Sequence, residues 1–96
     1  MHAVVVRVTI HDADRAREVL NSQVVQLASG APGFKAGYWT WPTVGGQLNA
    51  LTMIIFDSEE NARGAADRVK ANFARLENRG DVTLDDVEVR LVVASA

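Results

Sequence analysis

Two tryptophans on one side of a predicted strand are the residues best suited to hold a flat ligand. Trp39 and Trp41 are separated by one residue, and side chains at i and i+2 of a strand point to the same face. Two indole rings side by side would form an aromatic wall for a planar molecule, with Phe56 as a further candidate for the lining. The alternative, which is the commoner use of tryptophan, is packing in a core or a dimer interface.

A single arginine in the first predicted strand is the least expected polar residue of the chain. Arg7 interrupts the apolar run from Val4 to Ile10. A buried cation calls for an anionic partner, so Arg7 would suit a ligand carboxylate or phenolate. The alternative partner is Glu88 of the last strand, because the first and last strands are expected to be neighbours. Both interpretations hold together if the pair lines a pocket.

Tyr38, Asn49 and Thr52 are candidate hydrogen-bond donors to a bound oxygen atom. An oxygenase that uses no cofactor has to stabilise a substrate carbanion and keep bulk water away from it. The spacing of the three residues does not demand such a site. Their alternative role is that of ordinary strand residues.

Acid–base and metal chemistry have weaker support. His11 and Asp12 are adjacent at the end of the first strand, where a His–Asp couple could move a proton. The alternative is a turn followed by a helix N-cap. The chain has two histidines and no cysteine, and no metal-ligand spacing stands out. We therefore predict neither a metal nor another cofactor.

Hydrophobic periodicity predicts the elements that position these residues. Alternating apolar and polar side chains indicate strands, whereas apolar residues three and four positions apart indicate helices. Asp12 and Ser58 are candidate N-caps, and Gly30 with Pro32 ends the first helix. The prediction is strands Ala3–Ile10, Phe34–Trp41, Gln47–Asp57 and one within Val82–Val93, helices from Ala13 to about Ser29 and from Ser58 to Glu77, a hairpin loop Pro42–Gly46, and a helix end at Asn78–Gly80.

The order βαββαβ predicts a single ferredoxin-like domain of the α+β class over residues 1–96. Two right-handed split βαβ units give a four-stranded antiparallel sheet with both helices on one face. The expected strand order is 4-1-3-2, which puts the third strand near the centre. This position agrees with the apolar character of both sides of the segment Leu48 to Phe56.

The face of the sheet away from the helices needs cover of its own. The cleaner apolar rows of the first and last strands are assigned to the helices, together with Leu51, Met53 and Ile55 of the third. The opposite face then carries an aromatic row, either Tyr38 with Phe34 or Trp39 with Trp41, and the set Val5, Arg7, Thr9, Ala50, Thr52, Ile54, Phe56, Glu88, Arg90 and Val92. Such a face is too apolar for water and too polar for a dry core. We therefore expect a homodimer in which two sheets enclose a cavity.

Composition excludes several classes of function. Hydrophobic residues make up 48% of the chain and the formal net charge is −2, which gives no basis for binding nucleic acid or an anionic membrane. No stretch approaches the ~20 apolar residues of a membrane span, and the N-terminal apolar run is too short for a signal peptide. The lack of cysteine removes disulfides and a thiol nucleophile, and it fits a cytoplasmic location.

Two segments resemble the dimeric α+β barrel superfamily, and most of all its antibiotic-biosynthesis-monooxygenase-like branch. They are Ala31-Pro32-Gly33-Phe34 with Gly37-Tyr38-Trp39, and Ile54-Ile55-Phe56-Asp57-Ser58-Glu59-Glu60-Asn61-Ala62. The pattern of that branch is a Pro-Gly-Phe turn into the second strand, and an apolar third strand that ends before acidic residues open the second helix. The order of elements matches over nearly the whole chain, whereas the motifs are short.

The resemblance implies a dimer and a choice of activities. Members include cofactor-free oxygenases of polyketide-like substrates, haem-degrading enzymes, isomerases and proteins without a known activity. Haem-degrading members carry an Asn on the first strand, a Trp closing the third and a haem-ligating His on the second helix. Arg7 and Phe56 lie near the first two positions, and the predicted second helix contains no His. These departures argue against haem chemistry.

Two functional hypotheses follow. In the first, a homodimeric barrel binds a small apolar or aromatic molecule between its sheets, with cofactor-free monooxygenase activity as the most specific form. In the second, the same dimer has a packed interior and is a non-enzymatic binding or interaction protein. A polar-lined cavity that reaches Arg7 and the tryptophans would distinguish the first from the second.

Overall fold

Alternating apolar residues build four strands, which pair into one antiparallel sheet. The computed structural model describes residues 1–43, 48–76 and 82–96, without the side chains of Leu48, Arg75 and Leu76. The strands are β1 (His2–Ile10), β2 (Phe34–Thr40), β3 (Leu48–Phe56) and β4 (Val82–Leu91). The helices are α1 (Ala13–Val19), α2 (Val25–Ser29) and α3 (Glu59–Leu76), with a π-helical turn, Leu20–Val24, between α1 and α2.

The strand order is β2-β3-β1-β4, with every neighbouring pair antiparallel. α2 packs on β2, and α3 packs on β1, β3 and β4, so the two helical segments cover the same face. This arrangement confirms the predicted ferredoxin-like fold and its strand order. The predicted hairpin loop, Pro42–Gly46, extends beyond the described residues, and the predicted helix end at Asn78–Gly80 lies outside them.

The register between β1 and β3 corrects the predicted orientation of β3. Val4 pairs with Ile54 and Val8 with Ala50, so the even-numbered residues of β3 lie beside the even-numbered residues of β1. Because those residues of β1 face the helices, Ile54 and Ala50 do so too, and both are buried in the core. The prediction that Leu51, Met53 and Ile55 face the helices was therefore wrong. Both rows of β3 are apolar, so only the pairing with β1 decides between them.

Small residues of α3 make room for this side of the sheet. Ala62, Ala65 and Ala66 are buried in the same cluster as Val4 and Phe56. Phe56 is 1% exposed, which places it in the core instead of on the opposite face, where the sequence had suggested it. A bulky aromatic side chain on the strand and short side chains on the helix fill the space between the two layers.

An irregularity at the start of β2 separates the aromatic residues of that strand. The pairing with β3 shifts register between Phe34 and Ala36, and a bulge of this kind interrupts the alternation of side chains. Phe34 consequently packs on the core with Trp39 and Trp41, its ring edge-on to Phe56 with centroids 6.4 Å apart. Tyr38 points the other way. Two alternatives were predicted for the uncovered face, Tyr38 with Phe34 or Trp39 with Trp41. Neither is correct, because Phe34 and both tryptophans lie on the helix side and Tyr38 lies on the other.

The first helical segment is less regular than predicted. Asp12 is the N-cap of α1, because its Oδ1 accepts a hydrogen bond of 3.1 Å from the Arg15 backbone N–H. The helix changes to π geometry at Leu20, and neither α1, the π-helical turn nor α2 has a buried residue. Leu27, an apolar residue of α2, is 67% exposed. This segment buries its side chains less completely against the sheet than α3 does.

The two segments that carry the family resemblance meet in the structure. Gly33 has φ 77°, and a β-carbon there would overlap with Asp57 Oδ1 and Asn61 Nδ2. The Asp57 backbone N–H donates to the Gly33 carbonyl oxygen at 2.9 Å, and Asn61 Nδ2 donates to Asp57 Oδ1 at 2.9 Å. The Pro-Gly-Phe turn therefore packs directly on the start of α3, which is capped by the Ser58 hydroxyl.

We expect Gly33→Ala to destabilise the protein by more than the ~1–2 kcal/mol that a left-handed conformation alone costs a non-glycine residue, because the new methyl group also displaces the Asp57–Asn61 pair. Urea unfolding followed by circular dichroism measures the change. Gly64→Ala is the matched control: its β-carbon would meet only Arg68 Nη1, at 3.6 Å. In the middle of α3, this change should stabilise the protein slightly. Equal stability of Gly33→Ala and wild type would contradict the packing described here.

Candidate functional site

The eight candidate residues divide between two faces of the sheet. The open face is the side away from the helices, and the register places on it Ala3, Val5, Arg7 and Thr9 of β1, Ala36, Tyr38 and Thr40 of β2, Asn49, Leu51, Met53 and Ile55 of β3, and Thr83, Asp86, Glu88 and Arg90 of β4. It therefore holds Arg7, Tyr38, Asn49 and Glu88. The helix side holds Trp39, Trp41, Thr52 and Phe56. The two sets are not brought together in one chain.

Arg7 is paired with carboxylates of its own chain. Its Nη1 donates to Glu88 Oε1 at 2.9 Å and to Asp86 Oδ2 at 3.3 Å, and Arg90 Nε lies 3.2 Å from the same Glu88 oxygen. The hydrogen bond from Arg7 and the positive charge of Arg90 lower the pKa of Glu88 below its ordinary value of 4.5. The ion pair expected between Arg7 and Glu88 is confirmed, and it supplies the anionic partner that Arg7 needs.

A second irregularity explains why two aspartates lie at this end of the open face. The pairing of β1 with β4 shifts register between Arg7 and Val8, so Asp85 and Asp86 both reach β1. The Thr9 hydroxyl donates to Asp85 Oδ2 at 2.7 Å and lies 3.4 Å from Asn49 Oδ1. Asn49 is thus part of a polar end of the sheet, away from the tryptophans.

Apolar side chains make up the β2–β3 half of the open face. Tyr38 pairs with Met53 across these strands, and Leu51 lies on the same face two residues before Met53. Tyr38, Leu51 and Met53 are 62%, 36% and 40% exposed, whereas Val5 on the neighbouring strand is only 5% exposed. The open face therefore has a charged half on β1 and β4 and an exposed apolar half on β2 and β3.

A cavity of about 740 Å³ lies between the sheet and the helices and is called the helix-side cavity. Trp39, Trp41, Thr52 and Phe56 contribute to its sheet wall. The helices contribute mainly apolar residues, among them Ala16, Val19, Leu20, Val24, Leu27, Ala28, Val69 and Phe73. The cavity exists because the first helical segment buries no side chain, while several wall positions carry only the methyl group of alanine.

Gly37 positions one of the two tryptophans. A β-carbon at Gly37 would lie 2.7 Å from Trp39 Cη2, so the indole ring lies over the place where any other residue would carry its side chain. Sequence reasoning missed this role. The signal that could have found it is a glycine inside a strand, which often marks the close approach of another group.

Polar groups are few in the helix-side cavity. Among its lining residues as described, the polar side chains are Gln23, Thr52, Arg68 and Asn72, besides the indole N–H groups. Arg68 is the one charged side chain of this set. A further cation lies nearby, because the Arg17 guanidinium carbon is 5.0 Å from the centre of the Trp41 ring. The described wall contains no carboxylate and no imidazole.

The histidine and metal alternatives find no site in the described residues. His11 Nε2 lies 2.8 Å from Thr83 Oγ1, and the Asp12 carboxylate caps α1, so the adjacent pair forms the expected turn and cap. In residues 1–43, 48–76 and 82–96, no three His, Asp or Glu side chains are grouped as metal ligands would be. Within the same ranges, no helix has the length and hydropathy needed to cross a membrane.

Comparison with known proteins supports the fold and no activity. No protein-family model matches the chain, and no curated protein matches it. Among solved structures, it is similar to a de novo designed protein, Foldit4 (TM-score 0.66, 14% identity, covering 95% of this chain and 97% of that one). It is also similar to a dimeric ferredoxin-like protein from an uncultured marine organism (TM-score 0.64, 10% identity, covering 100% of this chain and 98% of that one). A third similar structure is a de novo designed protein with a ferredoxin fold. Its TM-score is 0.54 at 21% identity, and the match covers 99% of this chain and 88% of that one.

We expect the contribution of Glu88 to stability to depend on pH. Its pKa is lowered in the folded state, so the unfolded chain takes up a proton first as the solution is acidified. The stabilisation is complete above the ordinary pKa of 4.5 and is lost as pH falls through the folded-state value. Urea unfolding of wild type and Glu88→Gln should therefore differ most near neutral pH and converge in acid. Glu18→Gln, an exposed carboxylate of α1, is the control, and a pH-independent difference for Glu88→Gln would contradict this assignment.

Proposed function

We propose that the protein is a homodimeric small-molecule-binding protein, in which each chain holds an apolar or aromatic ligand in its own helix-side cavity. The observation that carries the proposal is that cavity: about 740 Å³, walled mainly by aliphatic side chains and two tryptophans. Ligand sites commonly measure ~300–1,000 Å³ and combine an apolar wall with a few polar groups. The volume and the lining both fall within that description.

The position of the tryptophans favours this cavity over the space between two sheets. Trp39 and Trp41 lie on the helix side, so the aromatic wall expected from the sequence belongs to a single chain. Arg7, the anion-binding candidate of the open face, already contacts two carboxylates. A ligand between the sheets would meet paired charges and Tyr38, whereas a ligand in the helix-side cavity meets both indole rings.

A second copy of the chain is the proposed cover for the open face. Tyr38, Leu51 and Met53 form an exposed apolar surface on two adjacent strands. A face-to-face dimer would remove this area from water, at a gain of roughly 25 cal/mol per Å² before the costs of association. The similar marine ferredoxin-like protein is dimeric. Membership of the dimeric α+β barrel superfamily is part of this proposal.

The chemistry of the wall favours binding over oxygenation. A cofactor-free monooxygenase has to deprotonate its substrate, and the described lining offers the Thr52 hydroxyl, two amides and a guanidinium, none of which is a base at neutral pH. The packed-interior hypothesis, in contrast, has no place for a cavity of this size. Ligand binding is the function that the arrangement supports best.

We expect 2-naphthamide, a flat neutral probe, to bind the wild-type protein with one site per chain in isothermal titration calorimetry. Ala28→Phe should weaken this binding strongly, because Ala28 lines the cavity and the ring would occupy part of its volume. Ala74→Phe, at an exposed position of α3, is the matched control and should bind as wild type does. The proposal fails if a broad panel of flat apolar probes, neutral and anionic, gives no heat, or if Ala28→Phe binds unchanged.

We expect wild-type protein to sediment as a dimer and Met53→Glu as a monomer in analytical ultracentrifugation. A carboxylate in the middle of the apolar half would have to be buried without a partner, which costs several kcal/mol. Ala71→Glu, on the exposed side of α3, introduces the same charge and should leave the dimer intact. A wild-type protein that stays monomeric at high concentration would end the proposed dimer but not the proposed cavity site.

A further inference from the structure

We infer that the ligand of the helix-side cavity is an anion: a flat apolar body that carries a carboxylate or sulfonate, held by Arg68. This inference rests on the proposed function, since it names the chemical class of molecule for the same site. Its basis is the charge of the cavity wall, which is positive, whereas the net charge of the whole chain is negative. The formal net charge of the protein is −2, yet the one charged residue in the described wall is a cation.

Arg68 is placed to receive an anion. It lines the cavity from α3, and its Nη1 lies 3.6 Å from where a β-carbon of Gly64 would be, so the guanidinium folds back along its own helix. Within the described part of the chain, Arg68 forms no ion pair. Among the described residues, Arg7, Arg63 and Arg90 each pair with a carboxylate.

Neighbouring groups add to the preference for negative charge. Asn72 lies one helical turn after Arg68 on the same face of α3, and it lines the cavity together with Gln23 of the π-helical turn. Their amide N–H groups are additional hydrogen-bond donors on the same wall. Arg17, whose guanidinium carbon is 5.0 Å from the centre of the Trp41 ring, contributes a second positive charge beside one lining residue. No described lining residue opposes these cations with a negative charge.

The body of the ligand follows from the rest of the wall. Trp39 and Trp41 offer aromatic surface on the sheet side, and aliphatic residues of both helical segments face them. A guanidinium–carboxylate pair is a charge-assisted hydrogen bond, and because Arg68 is exposed, the pair would form where solvent still reaches it. The site therefore combines a stacking surface for an apolar body with a point of attachment for its anionic group, and it repels cationic molecules.

The test compares two ligands of nearly equal shape, 2-naphthoate and neutral 2-naphthamide, by isothermal titration calorimetry on the full chain. We expect wild type to bind the naphthoate about tenfold more tightly, and high salt to weaken the naphthoate alone. Arg68→Gln should remove most of that preference, because it weakens binding of the naphthoate much more than binding of the naphthamide. Arg68→Lys keeps the charge and should retain part of the preference. Arg63→Gln, paired with Glu59 on the same helix, is the control.

The outcomes separate the two proposals. If both probes bind equally and Arg68→Gln changes neither, the anion inference is wrong and the cavity site stands. If neither probe binds wild type, the proposed function itself fails. If the naphthoate preference persists in Arg68→Gln, the anion is held elsewhere and the assignment to Arg68 is overturned. The comparison of the two probes on wild type decides the preference for an anion even if a variant does not fold.

Discussion

The structure depends on the register between the two central strands. Pairing of Val4 with Ile54 decides, for every residue of β3, whether its side chain faces the helices or the open face. Because side chains alternate with a period of two, a shift by one residue would exchange the two rows completely. Both rows of β3 are apolar, so hydrophobicity alone does not prevent that shift. Phe56 does, since it fits against the alanines of α3, and a shift by one residue would bring Ile55 or Asp57 to its position.

The two helical layers meet the sheet in different ways. α3 presents alanines to β1 and β3 and approaches closely enough to bury them completely or almost so. The first helical segment carries larger apolar residues but none that is buried, and its π-helical turn interrupts the stripe that an uninterrupted helix would have presented. π turns are frequent at functional sites. The close contact of one helix stabilises the fold, and the distance of the other leaves room for the helix-side cavity.

The fold could be predicted from the sequence, but the composition of the site could not. Alternation in β1, the caps at Asp12 and Ser58 and the stop at Gly30 define the elements through local chemistry, and the order of elements then leaves few topologies. The side of the sheet on which Thr52 and Phe56 lie depends on long-range strand pairing, which no local sequence pattern encodes. The same holds for Trp39, Trp41 and Tyr38, because the bulge after Phe34 changes the alternation. Arg68, which is itself exposed, was overlooked because a charged residue on a helix is ordinarily only a solvated surface group.

The aromatic residues have a consequence for spectroscopy. The chain contains two tryptophans and one tyrosine; both indoles line the helix-side cavity, while Tyr38 is on the open face, 62% exposed. Emission excited at the long-wavelength edge of the aromatic absorption band, where tyrosine no longer absorbs, comes from the indoles alone, and phenol absorption comes from a single ring on the opposite surface. The two sides of the sheet therefore carry separate natural chromophores, and events on each can be followed optically without attaching a label.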